Sequence, residues 1–150
     1  MSEIALNSPK HQLASSDVSR LTALGVPLGR ALFSAIFIAG GLGHFSAKTI
    51  GFAASQGVPL ASIAVPLSGV LSLVGGLSIL LGYHAKIGAV LIALFLIPVT
   101  LMMHKFWAVA DPMMAQMQMA MFMKNVGLLG GALLILHFGP GPYSLDNRRH

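Results

Sequence analysis

A chain of 150 residues that is 55% hydrophobic and only 9% charged, with a mean hydropathy of +0.81, has the length of one domain and the composition of a membrane protein. The net charge of +5 invites a nucleic-acid partner, but the nine Lys and Arg are scattered between apolar runs, adjacent only at Arg148-Arg149, and form no patch or stripe, so the bilayer is the expected partner instead. The absence of cysteine excludes disulfides, thiolate ligands and thiol redox chemistry by the chain itself.

Residues 1–25 read as a polar N-terminal tail carrying Glu3 and Asp17, without the compact apolar run and cleavage site of a signal peptide. Its first twenty or so residues and the last few of the chain are the candidate disordered segments. Crossing a bilayer takes about 20 mostly apolar residues, and four stretches within residues 26–140 meet that requirement: 28–45, 58–83, 87–103 and 112–138. Residues 141–150 form a C-terminal tail. The expected fold is an all-α, integral membrane four-helix bundle. Pro66 and Pro98 fall inside spans and predict kinks. Small residues four apart, such as Ser68, Ser72 and Gly76, or Gly127 and Gly131, favour close helix packing.

The fourth span needs explanation, because its clean apolar run, 126–138, is too short to cross. It must extend upstream through HKFWAVADPMMAQMQMAMFMKN, residues 104–125. Asp111-Pro112 is a helix start: the carboxylate can cap free N–H groups, and proline is preset for the first turn. A helix from Pro112 to Phe138 is about 40 Å long at 1.5 Å per residue, so its first turns lie at the interface.

Orientation follows the distribution of Lys and Arg among the loops. With both termini on one side, that side holds six (Lys10, Arg20, Arg30, Lys86, Arg148, Arg149) and the other three (Lys48, Lys105, Lys124). Both termini are therefore expected in the cytoplasm, and the Met-rich stretch near the outer surface.

Ionisable and polar groups inside a span are costly and single themselves out as functional. Lys124 and Asn125 sit about five to seven residues below the interface, roughly 8 to 10 Å at helical rise. Gln118, Phe122 and Asn125 form one stripe, and Gln116, Ala120 and Lys124 the next. Lys124 could also snorkel to the interface. The topology brings His44, Lys48, His104, Lys105 and Trp107 to the same membrane level. A quinone suits this inventory: His or Lys to bond a ring carbonyl, and Phe106, Trp107 and Phe122 to face the ring. The expected ligand-binding residues are Lys124, Asn125, His104, Trp107, His44 and Phe122; no catalytic residue or metal ligand is assigned. Six of the nine methionines lie between Met113 and Met123; thioethers prefer Cu(I), but also fill irregular apolar gaps. Bis-histidine haem ligation would require His44 and His104 to face each other.

GRALFSAIFIAGGLGHF, GVLSLVGGLSILLGYHAKIGAVLIALF, HKFW, FMKN and GPGPYSLD, in this order, resemble the DoxX family of small four-helix bacterial membrane proteins. The resemblance implies a bacterial cytoplasmic (inner) membrane location, a loose association with an oxidoreductase system and membrane or redox-enzyme partner subunits; one branch of the wider family resembles quinone-reducing subunits. Many DoxX relatives have a glutamate where this chain has Ser72. With no cysteine, flavin motif or nicotinamide motif, independent turnover is not expected. The alternatives are a non-enzymatic membrane subunit, a small-molecule carrier or a Cu(I)-binding protein; homo-oligomerisation is left open.

Overall fold

The computed structural model describes residues 9–149, and among them the regular structure is entirely helical. The long helices are α1 (Pro9–Gly43), α3 (Ala61–Leu81), α4 (Ala85–Met103) and α5 (Pro112–Phe138), with a short α2 (Ala47–Ser55) between the first two. Four segments are long and apolar enough to cross a membrane, within Thr22–Gly43, Ala61–Leu81, Ala85–Ala108 and Pro112–Phe138. Residues 1–8 of the expected polar tail lie outside the described residues. From Pro9 the chain is already helical and runs through Pro27 into the first span without a break. Helices α3 and α4 likewise continue through Pro66 and Pro98.

Helix α2 lies between the first two expected spans, and its signals are local. Ser46 caps it, Oγ accepting from the Thr49 N–H at 3.2 Å, and Gly57, at φ +82°, turns the chain after Gln56. Lys105 Nζ donates to the Gln56 carbonyl at 3.2 Å, setting a cation at the helix C-terminus. At α5, Asp111 Oδ1 accepts from the Met114 N–H at 2.8 Å and Pro112 opens the helix.

Helix α1 packs on α3, α3 on α4 and α4 on α5, while α1 and α5 meet only sparsely. Lipid tails are as apolar as leucine, so close van der Waals contact takes over the role of the hydrophobic effect in such packing. At Gly69 an added Cβ would lie 2.8 Å from His44 Cβ, and at Gly75 one would lie 2.9 Å from the Gly88 carbonyl oxygen. Those two crossings bring α3 against α1 and α4. Ser72 Oγ adds a bond across α1–α3, donating to the Phe37 carbonyl at 2.8 Å. The core, with Phe37, Ile79, Ile92, Phe95 and Leu96, is correspondingly narrow. Leu32, Ile63, Leu94 and Leu134 are all exposed and belong to the belt that lipid covers.

The C-terminal tail seals the end of the bundle where α3 turns into α4. The Asp146 carboxylate accepts from the His84 and Ala85 N–H groups, at 2.9 and 3.2 Å, and so caps α4. Its own N–H donates to the Gly82 carbonyl at 2.9 Å. Gly82 has φ +62°, and a Cβ there would lie 2.5 Å from Ser144 Cβ. Arg30, expected at the interface, is instead buried, and donates through Nη1 to the Pro140 carbonyl (2.6 Å) and through Nη2 to that of Tyr143 (2.7 Å). These bonds anchor the tail across the first helix, so residues 140–146 are an integral part of the bundle.

Candidate functional site

At the opposite end, α2 and the loop 104–111 cover the bundle. Below them the sparse meeting of α1 and α5 has opposite consequences at two levels. Toward the tail end, the Phe33 ring lies against Gly131, where a Cβ would come within 2.9 Å of it. Toward the loop end, a partly open cavity of about 180 Å³ lies among the four long helices. His44, His104, Lys124 and Asn125 line it, with Phe37, Phe95 and Ser72 among the deeper wall residues.

His44 ends the α1 segment. Its Nδ1 donates to the Gly40 carbonyl at 2.9 Å, which fixes the tautomer in the neutral ring and leaves Nε2 with its lone pair. The ring also meets Phe95 edge-on, with centroids 5.6 Å apart. His104 ends α4, and its Nδ1 bonds Gln118 Oε1 of α5 at 2.8 Å. Both imidazoles are thus held by one nitrogen, and the other has no partner among the described residues. Asn125 is 6% exposed and its amide makes no hydrogen bond among the described residues. Its amide atoms are not sealed from solvent but open onto the cavity. The Lys124 ammonium also has no partner among the described residues. No carboxylate lines the cavity, and Asp111 is committed to capping α5.

The structure therefore brings together four of the six residues that the sequence singled out, His44, His104, Lys124 and Asn125. It sets the other two apart. Trp107 and Phe122 pack with Phe106 in an edge-to-face cluster, at centroid distances of 5.1, 5.5 and 6.0 Å, and line neither this cavity nor its neighbour. The aromatic walls are Phe37 and Phe95 instead, which the sequence hides among other apolar residues of α1 and α4. Lys48 is exposed on α2, and Lys105 is used on Gln56. The methionines from Met113 to Met123 are all more than a third exposed and stay outside the cavity. Among the described residues no group of three His, Asp or Glu gathers to hold a metal ion. A cavity of about 150 Å³ accepts benzene; one of about 180 Å³ takes a single substituted ring and is too small for a haem.

The chain is similar to two curated inner membrane proteins of Escherichia coli K12. It is 33% identical to YqjF over 131 residues, covering 86% of this chain and 95% of that protein. It is 30% identical to YphA over 100 residues, covering 67% of this chain and 71% of that protein. No solved structure matches. The family model that matches is the SURF4 family, over residues 58–150. This overturns the DoxX resemblance: the fragments that carried it are short, and none of them is specific to that family on its own. The oxidoreductase association and the comparison at Ser72 rested on that resemblance and lose their support with it. With four spanning helices and inner membrane relatives, the protein is a multi-pass inner membrane protein, and it belongs to the SURF4 family.

Proposed function

We propose that this protein binds a compact, lipid-soluble molecule bearing carbonyl or hydroxyl oxygens, with a quinone ring as the best-fitting example, in the cavity bounded by His44, His104, Lys124 and Asn125. The observation that carries this reading is Asn125, a residue 94% buried on the cavity wall whose amide makes no hydrogen bond among the described residues and opens onto the cavity. An amide facing the cavity with no protein partner is free to bond a ligand oxygen there. Lys124 and the Asn125 amide supply donors, and the free imidazole nitrogens supply acceptors. A carbonyl and a hydroxyl are therefore both served, as exchange between a quinone and its reduced form would require. The chain supplies binding and orientation, and electrons would have to come from a partner.

The cavity lies in the outer leaflet on the orientation that the six-to-three division of Lys and Arg favours. Cysteine introduced at Ala110, an exposed loop position, should react with an impermeant maleimide added outside spheroplasts. Labelling only after permeabilisation refutes this orientation.

The binding test uses duroquinone, whose ring positions are all substituted and which therefore does not alkylate lysine by addition. The purified protein in nanodiscs should bind it, and Asn125→Leu and Lys124→Leu should each weaken binding at least tenfold. Equal binding by the wild type and both variants refutes the site. A stable complex with other membrane proteins and no ligand would favour a non-enzymatic subunit.

A further inference from the structure

A second cavity, about 160 Å³, adjoins the first and shares His44 and Val99 with it. Its chemistry is different. Apart from His44, its polar wall residues are Thr49 and Ser68, and both hydroxyl protons are already used. Ser68 Oγ donates to the Val65 carbonyl at 2.7 Å. Ser46 Oγ donates its proton to the Gly43 carbonyl at 3.0 Å, so the 2.8 Å bond between Ser46 and Thr49 takes the proton of Thr49. The remaining surface includes Ala53, Val58, Ala64, Pro98 and Met103. One chamber is thus rich in unused polar groups, the next is apolar, and His44 stands at their common wall.

We propose that the two chambers form one bipartite site, in which the ligand's oxygen-bearing ring occupies the first and an apolar arm of about five or six carbons occupies the second. The length follows from the volume, since about 150 Å³ accommodates the six carbons of benzene. This rests on the function proposed above and adds the class of ligand: a ring with a single short or branched alkyl arm. Lipid tails are as apolar as the second chamber, so the arm gains little over the bilayer. The chamber acts by shape, rejecting arms that do not fit.

The test compares duroquinone with its analogue in which one ring methyl is replaced by pentyl, in nanodiscs, against wild type, Ala64→Phe, Val58→Phe and Asn125→Leu. Ala64 and Val58 line only the second chamber and are partly exposed; thermal unfolding and size-exclusion chromatography verify that the variants fold. Wild type should bind the pentyl analogue at least as tightly as duroquinone. Ala64→Phe should weaken the analogue tenfold or more while changing duroquinone less than twofold, with Val58→Phe acting in the same sense. If both phenylalanine variants affect the two compounds alike, or neither, while Asn125→Leu still abolishes duroquinone binding, the bipartite site is refuted and the first chamber stands. If wild type binds neither compound, both are refuted.

Discussion

Replacing Asn125 with leucine separates a residue kept for binding from one kept for structure. Leucine is close to asparagine in size and carries no polar atom. An unsatisfied buried amide costs about 1–3 kcal/mol. Asn125 is 6% exposed and borders a cavity of about 180 Å³, large enough to admit water that offsets part of this cost. The Asn125 amide atoms open onto the cavity, so in the absence of ligand the variant should lie within about 1 kcal/mol of the wild type. Unfolding by titration with a denaturing detergent in mixed micelles, followed by tryptophan fluorescence from the single Trp107, measures the difference. The added ligand should stabilise the wild type and leave the variant unchanged. A ligand-free variant less stable than the wild type by 1 kcal/mol or more, about a fivefold change in the folded ratio, refutes the reasoning, because Asn125 would then be holding the bundle together.

Asp146→Ala removes the cap of α4 and should cost about 2 kcal/mol, measured in the same titration; hydrogen exchange should rise first at His84 and Ala85, whose N–H groups it holds. Gly82→Ala meets both a left-handed backbone and the Ser144 backbone, 3.0 Å away at Cα, and should destabilise by about 2 kcal/mol or more. In that variant proteolysis should release the C-terminal tail, and an uncleaved tail would mean that Gly82 is not where it is anchored. Gln118→Leu leaves His104 without its bond to α5 and should weaken duroquinone binding severalfold while altering stability by less than about 1 kcal/mol.

The parts of the fold that announce themselves in the sequence are those set by local chemistry. Four apolar lengths mark the four spans, and Asp111-Pro112 marks the start of α5. Helix α2 is equally local, with Ser46 before it and Gly57 after it, but its nine residues are too few for the span-length criterion. The role of the tail was hidden for a different reason. Arg30 and Pro140 are 110 residues apart, and nothing near either residue indicates that a guanidinium will meet carbonyls there. The site divides in the same way. Intramembrane polarity picks out Lys124 and Asn125, and chain topology brings His44 and His104 to their level. Which aromatics face them depends on helix rotation, so Phe37 and Phe95 replaced the expected Trp107 and Phe122.

The most direct measurement is native mass spectrometry of the protein extracted gently from its own membrane, comparing wild type with Asn125→Leu at equal expression. Wild type should carry a stoichiometric small molecule with an oxygen-substituted ring, and the variant, equally folded, should carry none. Bare wild type, or the same adduct on both proteins, would contradict a ligand site at Asn125.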